Sequence, residues 1–275
     1  MDLDNSQYSE ELETAVKAAR EAADIMEDYR ENIEVKNRKG SFNDVVTEAD
    51  EKCQEVVEDI ITREFPEDGF KAEELKEQRK AERTWVVDPV DGTSNFLKGF
   101  EYCCTSIALK KDKEVKVAVV LSPEDALGKM WFAVEDEGAY LSEKEEIGNA
   151  EKIEVSNQKD LQGALVTSKR KNEHEGQQDY DRCVNQKLVD SDAMIRIVDA
   201  GALSCARVAE GVFDGFISSI ESEWDYLAGK LLVKEAGGKI RDNKSPLGPT
   251  TEVIASNGQI QRELEQVADH YIQDS

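Results

Sequence analysis

The chain has 275 residues, 39% of them hydrophobic, which is enough to bury a core in one large domain or two compact halves and too apolar for a disordered chain despite 35% charged residues. Its 60 acidic residues against 35 basic ones give a formal net charge of −25, which argues against nucleic acid or an anionic membrane as a partner, since both would be repelled. A solvated acidic surface suited to high salt, where the Debye length collapses, is a simple source of the excess, although lysine, usually scarce in such proteins, is frequent here.

Cys53, Cys103, Cys104, Cys183 and Cys205 form no CxxC pair and no zinc spacing, so buried free thiols in a reducing compartment are expected. Met1-Asp2-Leu3-Asp4 lacks a basic region and an apolar signal core, and no stretch approaches the ~18 apolar residues of a membrane helix. A soluble, cytoplasmic protein is expected.

Leu12, Val16, Ala19, Ala23 and Met26 recur at helical spacing and predict an amphipathic helix over 9–30. A second helix is predicted from near Asp50 through Cys53, Val56, Val57, Ile60 and Ile61, ending before Pro66. Between them, Asn37-Arg38-Lys39-Gly40-Ser41 is a polar, basic loop, either simply solvated or a mobile cover. Strand signals over 84–87, 104–110, 115–121, 130–134 and 138–141 read as an antiparallel meander, with Cys103 and Cys104 alternating across a strand. Farther on, strands 163–167, 194–198, 213–218, 239–241 and 252–256 alternate with helices 177–189, 201–211, 225–236 and 258–272, and Gly237 suits the residue just past a helix end. An α+β half (1–155) and an α/β half (156–275) predict alternating helix and sheet layers, a layered α/β fold.

The stretch Trp85-Val86-Val87-Asp88-Pro89-Val90-Asp91-Gly92-Thr93 carries the chemistry. An apolar strand delivers two carboxylates, three residues apart, into a Pro/Gly turn followed by a hydroxyl. Mg²⁺ favours such hard oxygens and commonly combines one or two carboxylates with substrate phosphate oxygens. Glycine lets backbone N–H groups approach an anion closely. A bound cation would also let an anionic phosphate approach so acidic a protein. Glu73 and Asp225 are weighed with this turn. Singly, Asp225 reads as a helix N-cap, Glu73 as a surface carboxylate, and Asp88 and Asp91 as turn-stabilising residues; together they read as a metal set.

Asp88-Pro89-Val90-Asp91-Gly92-Thr93-Ser94-Asn95-Phe96 resembles the signature of the inositol monophosphatase family, magnesium-dependent, lithium-sensitive phosphatases of inositol phosphates, fructose 1,6-bisphosphate and phosphoadenosine phosphates. Trp224-Asp225-Tyr226-Leu227-Ala228-Gly229, followed by Glu235-Ala236-Gly237-Gly238, resembles its second signature, and Asn43-Asp44-Val45-Val46-Thr47-Glu48-Ala49-Asp50 its N-terminal motif. The resemblance implies the αβαβα sugar-phosphatase sandwich and two or three Mg²⁺ per site, with Mn²⁺ as a substitute. It implies that Glu73, Asp88 and the Val90 carbonyl hold the first metal, that Asp88, Asp91 and Asp225 hold the second, and that Glu73 assists a third. Thr93, hydrogen-bonded to Asp44, would orient the attacking water, making Asp44, Glu73 and Thr93 the catalytic set. Gly92, Thr93 and Ser94 would grip the phosphate, and Lys39 aligns with a loop that closes over the site. Asp50 aligns with a motif aspartate but reads as a helix cap. A homodimer is implied, with a small phosphate ester as ligand and neither nucleic acid nor membrane as partner.

The chemistry also stands on general grounds. A metal lowers the pKa of its water, and paired metals about 4 Å apart steady the attacking and leaving oxygens. Phosphoryl transfer needs positioning and charge neutralisation more than covalent help, so neither a cysteine nucleophile nor His174 or His270 is required.

Substrate choice is written where the chain departs from the pattern. Ala72 stands where glycine is usual, and Ser218 where inositol phosphatases place an acidic residue. Asp199, in Asp199-Ala200-Gly201-Ala202, either accepts a substrate hydroxyl or caps the 201–211 helix. Lys169-Arg170-Lys171 either binds a second phosphate or is a solvated loop, and Arg196 is a weaker candidate for the same task. The expected function is Mg²⁺-dependent hydrolysis of inositol-1-phosphate and/or fructose 1,6-bisphosphate by metal-activated water. The alternatives are a 3′(2′),5′-bisphosphate nucleotidase and a non-enzymatic metal- or phosphate-binding regulator.

Overall fold

The computed structural model describes residues 6–30, 35–38, 45–75, 77–143, 147–169, 175–220, 222–244 and 250–274. The first part of the chain forms helices α1 (Ser9–Arg30) and α2 (Glu48–Glu64), joined through the short strands β1 (Val35–Arg38) and β2 (Val45–Thr47). Next come β3 (Gly69–Ala72), β4 (Arg83–Asp91), the short helix α3 (Thr93–Leu97), β5 (Cys104–Lys111), β6 (Glu114–Ser122), β7 (Lys129–Val134), β8 (Gly138–Ser142) and β9 (Glu151–Lys152). Strands β3 to β9 form one sheet in chain order, parallel at β3–β4 and antiparallel thereafter. This is the meander expected from the alternating pattern.

The remainder comprises β10 (Leu165–Ser168), α4 (Glu175–Asp190), β11 (Met194–Ile197), α5 (Gly201–Ala209), β12 (Gly215–Ile220), a 3-10 turn (Glu223–Asp225), α6 (Leu227–Glu235), β13 (Lys239–Lys244), β14 (Thr251–Ser256) and α7 (Gln261–Asp274). Its sheet has the order β11-β10-β12-β14-β13, with β10 parallel to both neighbours.

Both faces of the seven-stranded sheet are buried, which explains its nearly continuous apolar strands. Trp85 and Val87 face α1 and α2, meeting Leu12, Ala19, Met26, Val57 and Ile61. Val86, one residue out of step, points to the other side with Ala118, Val120 and Trp131, as the two-residue strand period requires. Cys103 and Cys104 divide between the same two cores, as expected. On that second side α5 and α6 fill the space between the sheets, with Leu203, Leu231 and Leu232 packed against Phe216, Val253 and Ala255. Tyr180, Val184 and Leu188 of α4 and Leu264 and Ala268 of α7 cover the far face over Val166, Ile217 and Ile254. The layers therefore run α-β-α-β-α. Helices α5 and α6 approach so closely that a Cβ at Gly229 would overlap the Cys205 side chain.

Gly237 has φ 87 and follows α6, whose end is closed by the Gly238 N–H on the Val233 carbonyl at 2.9 Å. Helix α7 begins later than predicted because Asn257 Oδ1 first accepts the Gln259 and Ile260 N–H groups. Strands β1, β2, β3 and β9 are additions, each too short to show an alternating pattern. All five cysteines are free. No helix among the described residues is long and apolar enough to cross a membrane.

Candidate active site

Strand β4 carries the first two carboxylates. Residues three apart on a regular strand face opposite ways, so Asp88 and Asp91 need an irregularity to converge. The chain supplies a bulge: Asp88 pairs with Ser106 and Asp91 with Cys104, so three steps on β4 match two on β5. Pro89, which has no N–H for the ladder, sits within it. The inserted residue turns Val90 into the α1/α2 core and leaves both carboxylates on the face toward α5. Asp88 Oδ1 accepts the Val90 N–H at 3.1 Å and steadies the bulge.

Asp91 is held by another element. Its Oδ1 accepts the Gly201 N–H at 3.0 Å and its Oδ2 the Leu203 N–H at 3.1 Å. These are first-turn amides of α5 that have no partner within their own helix, and the positive helix end suits a carboxylate. Asp199 is therefore not the cap of this helix: the N-cap residue is Ala200, with no side-chain cap bond, and Asp91 does the capping from 110 residues away.

Asp225 arrives on the 3-10 turn. Glu223 anchors that turn to the first sheet, accepting hydrogen bonds from Lys71 of β3 at 3.0 Å and Lys110 of β5 at 2.7 Å. Lys71 Nζ also lies 5.3 Å from the Trp224 ring centroid. Gly201 gives the turn room, since a Cβ there would sit 2.7 Å from the Asp225 carbonyl oxygen. Asp225 is not the N-cap of α6; that position is Tyr226.

Asp88, Asp91 and Asp225 are all buried and offer carboxylate oxygens within 4.8 Å of one another. Burial, and then the charges of Glu73, Asp91 and Asp225, push the Asp88 carboxyl well above its usual range. Burial raises Asp91 to about 6, against the opposing pull of the Lys169 ammonium and the α5 amides. Three converging buried carboxylates repel one another unless a cation is shared, and an all-oxygen donor set is of the hard type that suits Mg²⁺ or Mn²⁺. The residues fit the metal. Glu73 follows β3, whose Ala72 pairs with Val87, and so arrives beside Asp88. It lies outside the three-carboxylate cluster but within electrostatic reach of Asp88.

Thr93 opens α3 next to this cluster. Its Oγ1 lies 3.1 Å from Asp50 Oδ1 and 3.0 Å from the Val90 carbonyl oxygen, so the hydroxyl proton has two acceptors. Asp50 is thus not a helix cap: it sits buried inside the first turn of α2 and accepts from Thr93. Asp44, expected in that role, lies outside the described residues, as do Lys39 and Arg170. Gly92, with φ 91, packs so tightly that a Cβ would lie 2.8 Å from the Tyr102 carbonyl oxygen. Ser94 follows in the first turn of α3.

Of the expected substrate contacts among the described residues, Lys169, Asp199 and Ser218 lie at the neighbouring ends of β10, β11 and β12, and Arg196 stands apart. Lys169 turns inward, and its Nζ donates to Asp225 Oδ1 at 2.8 Å; it is not part of a solvated loop. Arg196 is exposed on the edge strand β11 and donates to the neighbouring Ile195 carbonyl. Asp199 is partly buried and faces Lys169 electrostatically. Ser218 is buried in β12, with Oγ 3.5 Å from the Ser219 carbonyl oxygen. Sequence reasoning missed Asp50 as the partner of Thr93, Lys169 as an internal counter-ion, and the Glu223 anchor. The position of Asp50 in the N-terminal motif was the available signal for the first; nothing in spacing pointed to the other two.

The chain belongs to the inositol monophosphatase family, whose sequence model matches residues 7–273. It is 30% identical over 265 residues to the fructose-1,6-bisphosphatase/inositol-1-monophosphatase of Thermotoga maritima, covering 96% of this chain and 97% of that relative. It is 34% identical over 235 residues to the Nus factor SuhB of Escherichia coli, covering 84% of each. Among solved structures, an IMPase of Thermotoga maritima superposes with a TM-score of 0.83 at 29% identity, covering 96% of this chain and 99% of that one. The extragenic suppressor protein SuhB of Bartonella henselae gives 0.82 at 28%, covering 93% and 97%. Membership of this family supports a phosphatase.

Proposed function

We propose that the protein is a Mg²⁺-dependent phosphate monoester hydrolase acting on inositol-1-phosphate, fructose 1,6-bisphosphate or both. The observation that carries this reading is the convergence of Asp88, Asp91 and Asp225 beside the Thr93–Asp50 pair. Glu73, Asp88 and the Val90 carbonyl would hold one ion, and Asp88, Asp91 and Asp225 another, with Glu73 available to a third. Bound Mg²⁺ or Mn²⁺ supplies charge neutralisation and an acidified water. Asp50 and the Val90 carbonyl accept the hydrogen bond of the Thr93 hydroxyl, which would leave the Thr93 oxygen free to accept a hydrogen bond from water and orient it. Gly92 lets the backbone of the turn come close to a phosphate. The Thermotoga relative named for both substrates supports the substrate pair.

A second copy of the chain is the expected partner, in keeping with the family resemblance. Free, mostly buried cysteines support a reducing, cytoplasmic setting. Relatives named Nus factor SuhB favour a regulatory role as the second reading; the net charge of −25 weighs against direct contact with nucleic acid.

A phosphate-release panel in Mg²⁺, at low and high KCl, tests the proposal with inositol-1-phosphate, fructose 1,6-bisphosphate and phosphoadenosine phosphate. Metal-dependent release from either of the first two is expected. Release from the third alone would make the protein a nucleotidase, and no release from any by folded, metal-loaded protein would favour the regulatory reading.

A further inference from the structure

Lys169 directly follows β10, the strand between β11 and β12. Its side chain is 7% exposed, and its Nζ meets Asp225 Oδ1 at 2.8 Å on a carboxylate that is itself 6% exposed. At that distance the Lys169 nitrogen is the hydrogen-bonded counter-charge of the Asp225 carboxylate. The chain thus carries a cation of its own against a carboxylate of the three-residue cluster. A buried charge pair of this kind is costly to break, because either partner left alone has lost both water and its counter-charge.

A divalent ion at Asp225 would have to share that carboxylate with the ammonium. The two cations would then lie close together in a poorly screened interior, where like charges repel far more strongly than in water. We infer that Lys169 is a tethered cation that competes with the divalent ion for Asp225, so that an ion on the Asp225 side of the cluster is held only as the Lys169 ammonium is displaced and is weakened by that displacement. This rests on the metal reading proposed above and adds to it the dependence of one metal position on one residue. Lys169 is in this account a positioning residue: it acts on the ion through Asp225 and is assigned no contact with the phosphate ester.

The test is direct binding of Mn²⁺ to the full chain without substrate, followed by titration calorimetry and by loss of the free-ion paramagnetic resonance signal. The wild type is expected to show a tighter and a weaker event. Lys169→Met, close in shape and uncharged, should tighten the weaker event by about tenfold or more, equivalent to about 1.4 kcal/mol, and leave the tighter one nearly unchanged. Lys169→Gln, which retains a donor for Asp225, should shift the same event in the same direction and serves where the methionine variant does not fold. Equal Mn²⁺ affinities in wild type and variant, or an equal shift of both events, would overturn the inference while leaving the metal site standing. Absence of Mn²⁺ binding in wild type and variants alike would overturn the metal reading itself, and the inference with it.

Discussion

Asp91 and Gly201 are joined by a 3.0 Å hydrogen bond that makes one carboxylate serve two purposes. It contributes an oxygen to the acidic cluster and, through Gly201 and Leu203, closes the N-terminus of α5. The helix that separates the two sheets is thereby registered on the bulge that aims Asp88. Replacing Asp91 should therefore cost both function and stability. Asp91→Ala is expected to lose about 1–2 kcal/mol through the missing cap, read as a lower denaturant midpoint in metal-free protein at a pH no higher than about 3.8, where native Asp91 is protonated and its removal relieves little ionisation cost, in addition to its phosphate release. An unchanged midpoint would show that the α5 amides are satisfied in another way.

Thr93 and Asp50 tie the metal turn to the first turn of α2 at 3.1 Å. Thr93→Val and Asp50→Asn should each lower kcat by about 10²–10⁴, the range typical of lost proton handling. Mn²⁺ affinity should change little, because neither side chain belongs to the carboxylate cluster. A variant that loses metal and activity together would instead make this pair part of the metal site.

Glu223 couples two strands of the first sheet to the turn that carries Asp225. Burial pushes its carboxyl up, but hydrogen bonds from Lys110 and Lys71 more than offset this and hold it below the usual glutamate value. Glu223→Gln should cost about 1–3 kcal/mol, the scale of charge-assisted hydrogen bonds, and should raise the Mg²⁺ concentration needed for half-maximal phosphate release as Asp225 loses its anchor. Thermal melting and a Mg²⁺ titration check the two effects separately.

These relationships mark how far the fold and site could be read from residue order. The helix at Ser9–Arg30, the meander and the Asp88-to-Thr93 turn were legible because each is local: a 3.6-residue period, a two-residue period, or a Pro/Gly interruption. The partner of Thr93 was not, because Asp50 lies 43 residues away and its place in the first turn of α2 made a cap the simpler reading. Lys169 appeared to be one of three clustered surface cations; only the return of the chain at Asp225, 56 residues on, turns it inward. The same holds for Asp199, whose neighbourhood to α5 suggested a cap that Asp91 already provides. Apolar periodicity reports burial, and it contains no record of which distant charges meet.

The raised carboxyls give the metal-free protein a definite pH dependence. Between the ordinary aspartate value of 3.8 and about 6, native Asp91 holds a proton that the unfolded chain has released. Stability of the metal-free protein should therefore fall as pH rises through that window and stay lower above it. Burial raises Asp88 in the same direction. Added Mg²⁺ should accordingly raise the melting temperature more at about pH 7.5 than at about pH 5, with proton release on binding near pH 6. Calorimetric titration in two buffers of different ionisation enthalpy measures that release, and equal Mg²⁺ stabilisation at both pH values would contradict it.

Asp88 belongs to both proposed metal positions, and asparagine preserves its shape and its bond to the Val90 amide. The most direct measurement is phosphate release from inositol-1-phosphate and fructose 1,6-bisphosphate across a Mg²⁺ titration, for the wild type and for folded Asp88→Asn. Release is expected to depend on Mg²⁺ in the wild type and to fall by about 10³ or more in the variant, the several kcal/mol scale of lost metal-borne charge stabilisation. Turnover by Asp88→Asn at the wild-type rate, or wild-type release undiminished by a chelator, would contradict it.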